Sequence, residues 1–321
     1  MSSRSWAELS TATFTVALFG YIVAMLAAFA YLAFRRTRLS TASRVIAVAA
    51  AATNLVSIVA RGLAAGRTPW GNMYEFSAML ALLVVVGYLV AVELRMGVRT
   101  LGGFVYAFAV FTLAIAALFF DVGAGPLQPA LNSYWREIHV TSMITASSLL
   151  GIGCVVTILF LVKDRSERRQ LARLRGTDPA PIMGGSVDLD VPPGYAEGAD
   201  DPAAVDPSAI PAGRRGVLPP AATLDRVAYR MIAFGFPVWT FGVICGAIWA
   251  QEAWGRYWGW DPKEAWSFIT WVVFAGYLHA RATSGWRGTR AAVIALVGFV
   301  CLFVTYYAVN LWIAGLHSYA R

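Results

Sequence analysis

Three histidines, three cysteines and one dense run of tryptophan are where this chain could hold chemistry. His139 follows Tyr134-Trp-Arg-Glu-Ile138, His279 lies between two arginine-bearing stretches, and His317 comes a few residues beyond Trp312. Imidazole nitrogen is an axial ligand of haem iron, and two imidazoles from different helices could clamp a macrocycle between them. For each histidine the competing reading is an ordinary side chain at a membrane interface. Cys154, Cys245 and Cys301 each sit inside an apolar run with no paired spacing and no Cys-x-x-Cys. That argues against a disulfide framework, a zinc site or a thioredoxin-like centre and for small buried apolar residues. No Ser/His/Asp or activated-cysteine arrangement is visible.

The stretch Trp249-Ala-Gln-Glu-Ala-Trp-Gly-Arg-Tyr-Trp-Gly-Trp-Asp-Pro-Lys-Glu-Ala-Trp266 carries five of the twelve tryptophans. A membrane-interface belt needs only one or two aromatics at each helix end. The excess, together with Glu252, Arg256, Asp261, Lys263 and Glu264, points to a shaped surface for a large flat ligand. A porphyrin is such a ligand, an apolar disc with two propionates. Trp254, Tyr257, Trp258, Trp260 and Trp266 could supply faces, and Arg256 or Lys263 the propionate contacts. Asp261 has a second reading: with Pro262 and Glu264 it has the spacing of an N-cap, N1 and N3 capping box that starts a helix. That structural role does not exclude a ligand role nearby.

The elements that must position these residues are membrane helices. The chain is 58% hydrophobic and 14% charged, with a mean hydropathy of +0.61; a soluble domain has about 25% charged residues. Apolar runs long enough to cross a hydrocarbon core of about 30 Å recur along it. The fold class expected is all-α, a polytopic membrane helix bundle of about eight transmembrane helices, near 11–34, 44–65, 73–94, 101–120, 139–163, 228–250, 264–281 and 290–313. The short alternating segments of a β-barrel do not dominate. The first run is too long for a signal-peptide core and is expected to remain as a helix. The net charge of +8 is explained by topology, with no nucleic acid partner. Arg35, Arg36, Arg38 and Arg44, then Arg95 and Arg99, then Lys163 to Arg175, then Arg281, Arg287 and Arg290 all fall on one side of alternating spans. The positive-inside rule makes that side cytoplasmic and leaves both termini extracytoplasmic, together with the 121–138 loop, the tryptophan segment 249–266 and His317. The organisation expected is helices 1–5 over 1–163, a mostly disordered cytoplasmic connector over 164–227 and helices 6–8 over 228–321. The connector starts basic, then turns acidic and rich in Pro, Ala and Gly, with too few large apolar residues to bury a core. His279, fifteen residues after Glu264, lies about 22 Å along its helix, toward the cytoplasmic end. An ionisable group at such depth is a functional candidate, and no second histidine of this chain reaches it.

Trp254-Gly-Arg-Tyr-Trp-Gly-Trp-Asp-Pro-Lys-Glu-Ala-Trp266 resembles the tryptophan-rich "WWD" signature of haem-handling membrane proteins. Pro129-Ala-Leu-Asn-Ser-Tyr-Trp-Arg-Glu-Ile-His-Val140, Gly315-Leu-His-Ser-Tyr319, Gly71-Asn-Met-Tyr-Glu75 and Tyr277-Leu-His-Ala-Arg281 resemble motifs of the CcsA/ResC family. The resemblance covers nearly the whole membrane portion and none of the 164–227 stretch. It implies cytochrome c biogenesis of the System II type. The chain would present haem b for covalent attachment to the Cys-x-x-Cys-His motifs of apocytochrome c, as a subunit of a cytochrome c synthase (haem lyase) complex in the bacterial cytoplasmic membrane. His139 and His317 would be axial ligands of an extracytoplasmic haem resting on Trp254, Tyr257, Trp258, Trp260 and Asp261. His279 would be a second, intramembrane ligand whose opposite ligand comes from a ResB-type partner. A thiol-reducing thioredoxin-like protein is a further implied partner. One departure is Gly66-Arg67, where many relatives have Gly-His. Two rival readings are a non-catalytic haem-delivery protein of the System I type and a transporter, which would need more polar residues along its spans.

Overall fold

The computed structural model describes residues 2–125, 133–176, 218–313 and 315–316. Among them every regular element is helical: α1 Ser3–Phe34, α2 Thr37–Ala65, α3 Met73–Gly87, α4 Gly102–Phe119, α5 Tyr134–Gly176, α6 Ala221–Trp254, α7 Pro262–Thr283, α8 Gly288–Phe303 and α9 Val309–Trp312. α3 runs on as a π-helix over Tyr88–Leu94, and a π-helix over Val304–Ala308 joins α8 to α9. Large apolar side chains stand exposed along the outside of α1 and α2, among them Val16, Phe19, Leu26, Val45 and Val48. Such a surface suits lipid, where helices satisfy their backbone polar groups internally.

Seven of the helical runs are long and apolar enough to cross a membrane, as befits a multi-pass membrane protein. α7 is the remaining one of the eight spans expected. Its 22 residues reach about 33 Å, but Lys263 and Glu264 at one end and His279 and Arg281 at the other dilute its apolar character. Its neighbours show its course. Trp239 Nε1 donates to the Ser267 carbonyl at 3.3 Å, Trp271 Nε1 to Thr240 Oγ1 at 2.9 Å, and Arg281 to both carboxylate oxygens of Asp225 at 2.7 and 2.8 Å. On the other flank Lys263 Nζ donates to Asn310 Oδ1 at 3.1 Å, and Thr270 and Thr305 hydroxyls lie 3.3 Å apart. α7 therefore runs antiparallel to both α6 and α8 over its whole length.

The bundle has two polar ends. One gathers the 66–72 turn, residues 121–125, the start of α5 and the 255–261 segment. The other holds the Arg44–Glu93 ion pair at 2.6 Å, Lys163–Glu167 at 3.4 Å and Asp225–Arg281. Ser10 donates to the Ser57 carbonyl at 3.0 Å, which sets the start of α1 beside the end of α2. Leu316 N–H donates to Asp261 Oδ1 at 2.7 Å. Both described ends of the chain thus lie at the tryptophan-segment end.

Helix reaches further into the expected 164–227 connector than its composition indicated, to Gly176 on one side and from Ala221 on the other. Lys163–Glu167 and Asp164–Arg168 are i,i+4 pairs that support the extension. Glu167 also accepts the Ala221 N–H at 3.3 Å, so its negative charge meets the start of α6, which no side chain of its own caps. The stretch 177–217 lies outside the described residues.

Candidate functional site

At the tryptophan end a partly open cleft runs between α3, α5, α6, α7 and the Val304–Ala308 turn. His139, Trp249, Trp254, Tyr257, Trp258, Arg136 and Lys263 line it, together with Trp70 from the turn before α3. The π-helical turn makes Thr305, Tyr306 and Tyr307 all buried in succession, and Thr305 and Tyr306 face the cleft. π-bulges of this kind recur at functional sites.

His139 is held by α6. Its Nδ1 lies 2.7 Å from the Gly242 carbonyl, and a carbonyl only accepts, so Nδ1 carries the proton. The tautomer so fixed has its lone pair on Nε2, the state needed of a metal ligand, with the ring oriented by its second nitrogen. The ring stacks on Trp249 at 6.1 Å and 26°. This approach requires Gly246, because a Cβ there would stand 2.6 Å from His139 Nδ1. Gly242 likewise admits Met143, whose Sδ would lie 2.6 Å from an added Cβ. Small residues four apart are the usual device for close helix contact in lipid.

Arg136 is 1% exposed and shares the face of α5 with His139, three residues on. Its guanidinium contacts the Trp70 carbonyl and Thr68 Oγ1, both at 3.5 Å, and Glu137 at 3.8 Å. Lys263 is half-buried in the first turn of α7, ahead of the 264–281 stretch. Desolvation holds its ammonium down to about 8, with Asp261 opposing the shift. Glu264 is the acidic side chain among the described lining residues, and its carboxylate accepts the Gly259 and Asp261 N–H groups at 2.8 and 3.1 Å.

Other residues singled out from sequence fall in different places. Asp261 is the N-cap of α7, in a complete capping box with Glu264, and it also receives the Leu316 N–H. Trp260 is 68% exposed, has a left-handed backbone at φ 56° and packs edge-on against Trp258 and Phe268 at 5.8 and 6.4 Å. It belongs to the rim, not to the cleft wall. Arg256 does not line the cleft either; its guanidinium lies over Gly259, where a Cβ would come within 2.2 Å of it. Arg67 is a bolt: it grips both oxygens of buried Glu75 at 2.8 and 3.1 Å and donates to the Gly125 carbonyl at 3.0 Å. Arg61 donates to the same carboxylate at 3.2 Å and to the Val122 carbonyl. His279 is exposed on the outward stripe of α7 with Phe268 and Val272, two residues before Arg281. His317 lies outside the described residues. Arg136, Trp70 and Gly246 are lining residues that spacing did not single out, although the i,i+3 relation of Arg136 to His139 was there to be read.

Residues 70–317 match the family model described as cytochrome C assembly protein, beginning at the turn that supplies Trp70. The chain is 40% identical over 269 residues to the cytochrome c biogenesis protein CcsA of Synechococcus elongatus, over 81% of each chain. It is 36% identical over 312 residues to the protein of the same name from Porphyra purpurea, over 94% of each. Among solved structures it resembles the cytochrome c heme lyase CcmF with a TM-score of 0.64 and 16% identity, covering 100% of this chain and 49% of that one. At that identity the likeness speaks for a shared fold alone, and this chain spans about half of that protein. With the family model matched over residues 70–317 and identities of 36–40% held over most of its length, the chain belongs to the CcsA family of cytochrome c biogenesis proteins.

Proposed function

We propose that this chain presents haem b on the extracytoplasmic face of a bacterial cytoplasmic membrane for covalent attachment to apocytochrome c, as the haem-handling subunit of a System II cytochrome c synthase. The observation that carries this reading is the convergence of His139, with its tautomer set by the Gly242 carbonyl, and the aromatic rings of the tryptophan segment on one cleft. The donor set suits the ligand: an imidazole nitrogen for iron, indole and phenol rings for the macrocycle, and cations for its propionates. Haem is the substrate here, and its vinyl groups are the sites to which the two thiols of a Cys-x-x-Cys-His motif add.

The chain's own residues bind and orient. His139 supplies one axial nitrogen and His317 the other. The latter assignment is supported by the hydrogen bond that fastens Leu316 to Asp261 beside the cleft wall. Trp254, Tyr257 and Trp258 cover the ring and keep water from it, with Trp260 at the rim. The incoming apocytochrome histidine takes the place of one of the two imidazoles, so positioning accounts for most of the protein's contribution. His279, exposed on the outward stripe of α7, stands where a ResB-type subunit could supply the opposite ligand of a second, intramembrane site. A thioredoxin-like protein keeps the substrate cysteines reduced.

The test is the spectrum of the purified complex. His139→Ala and His317→Ala each remove the bis-imidazole Soret and α bands of the outer haem, while His279→Ala leaves them. An unchanged haem content and spectrum in both of the first two variants sinks the assignment.

A further inference from the structure

We propose that the end of the bundle remote from the cleft carries a site for the headgroup of an anionic phospholipid, with the phosphate on Arg226 and Arg287 and the acyl chains along α6. The site is separate from the haem cleft, and neither reading depends on the other. It is a cavity of about 420 Å³ between α5, α6, the end of α7 and the start of α8. Asp164, Glu167, Asp225, Arg226, Arg281 and Arg287 are among its lining residues. Cavities of a few hundred Å³ are of the size that takes a small ligand.

The ion pairs divide the charges of this cavity into two groups. Each lining carboxylate has its own cation: Arg168 lies 2.8 Å from Asp164, Lys163 lies 3.4 Å from Glu167, and Arg281 lies 2.7 Å from Asp225. Arg226 and Arg287 are exposed, and neither is ion-paired to a described residue. Both are therefore open to an incoming anion, and guanidinium suits a phosphate that offers two oxygens. A headgroup that carries its own cation gains less, because the arginines repel that cation. Basic pockets between membrane helices are a recurrent seat for anionic headgroups. α6 supplies the reason for chains attached to the phosphate. Arg226 and Arg230 share one face of that helix with Phe234, Phe241 and Ile244, and all five are exposed. Along this stripe guanidinium gives way to apolar side chains, the order of groups in a phospholipid. Exposed Trp286, next to Arg287, is the residue type of the membrane interface.

In the experiment the full chain, purified in detergent, is mixed with equal amounts of dioleoyl phosphatidylglycerol and dioleoyl phosphatidylcholine. The lipids retained through gel filtration are counted by mass spectrometry. One arginine near a membrane surface is worth about fivefold in affinity for an anionic lipid, so phosphatidylglycerol is expected to be enriched about twentyfold. Arg226→Gln and Arg287→Gln each lower that enrichment about fivefold, and the double variant brings it near parity. Both side chains are exposed, so the variants are expected to fold, which circular dichroism and the elution volume check. Arg38→Gln with Arg95→Gln removes two exposed arginines elsewhere at the same end and measures the diffuse attraction of a basic surface. That control is expected to keep the enrichment. An equal loss in it, or no enrichment in the unaltered chain, overturns a defined site. Displacement of the retained lipid by an equal concentration of inorganic phosphate would show that the chains contribute nothing, and overturns the lipid assignment in favour of free phosphate.

Discussion

An imidazole that ligates a metal through Nε2 is best held through Nδ1, and His139 meets this need with a backbone carbonyl in place of a side chain. The partner cannot be removed by substituting Gly242, because the carbonyl belongs to the main chain. Lys263 is the residue whose behaviour depends most on its surroundings. Its depressed pKa means that the ammonium is present below about 8 and is lost as pH rises through that value, well before an ordinary lysine deprotonates. The carboxylate-dependent part of porphyrin affinity is therefore expected to decline as pH rises through about 8. Lys263→Arg, whose cation persists, flattens the profile; Soret titration against pH measures both. Arg67 has a mechanical role, since its guanidinium is committed to Glu75 and Gly125.

At the scale of elements, α5 and α6 make the site by touching closely. Gly246→Ala puts a methyl group 2.6 Å from His139 Nδ1 and 2.7 Å from its Cε1. Relief by shifting the ring or the helix costs about 1–3 kcal/mol. Porphyrin affinity is expected to fall about tenfold, with circular dichroism still showing an intact helical fold. Full affinity in that variant would show that the ring is not held as described. The short 255–260 link is governed by α7, because one carboxylate, Glu264, fixes Gly259 and Asp261 together. The capping box legible as Asp-Pro-Lys-Glu thus starts a helix and also shapes one side of the cleft.

For the whole molecule, the position of α7 matters most. It lies between α6 and α8 and carries charged groups near both ends, Lys263 and Glu264 at one and Arg281 at the other. Arg281 closes the end remote from the cleft, bidentate on Asp225 and flanked by the Tyr229 and Tyr277 rings at 4.7 and 5.7 Å. Arg281→Gln leaves Asp225 uncompensated and is expected to cost about 3 kcal/mol. The thermal midpoint should drop while the cleft's porphyrin spectrum at low temperature stays the same. Replacing both partners by leucine should recover much of the loss, because an apolar pair has no charge to desolvate. If the double variant were as unstable as the single one, the pair would owe its effect to something other than charge compensation.

Composition and hydropathy by themselves determined that this is a polytopic helical bundle, because long apolar runs have few alternatives in lipid. The family was also legible, in Trp254–Trp266, in the residues around His139 and in Tyr277–Arg281. So was the capping role of Asp261 and Glu264, which depends only on local spacing. Tertiary structure alone decided what depends on side chains meeting across helices. Trp260 has the same residue type as Trp258, two positions earlier, yet a left-handed backbone turns it to the rim. Arg256 and Arg136 are indistinguishable as charges in a sequence, but only Arg136 is carried into the cleft, by the helix face it shares with His139. The two π-helical turns also have no spacing signature, since one inserted residue per turn is a response to packing. In a membrane bundle the hydrophobic pattern says which residues are buried, and the helix contacts decide what they are buried against.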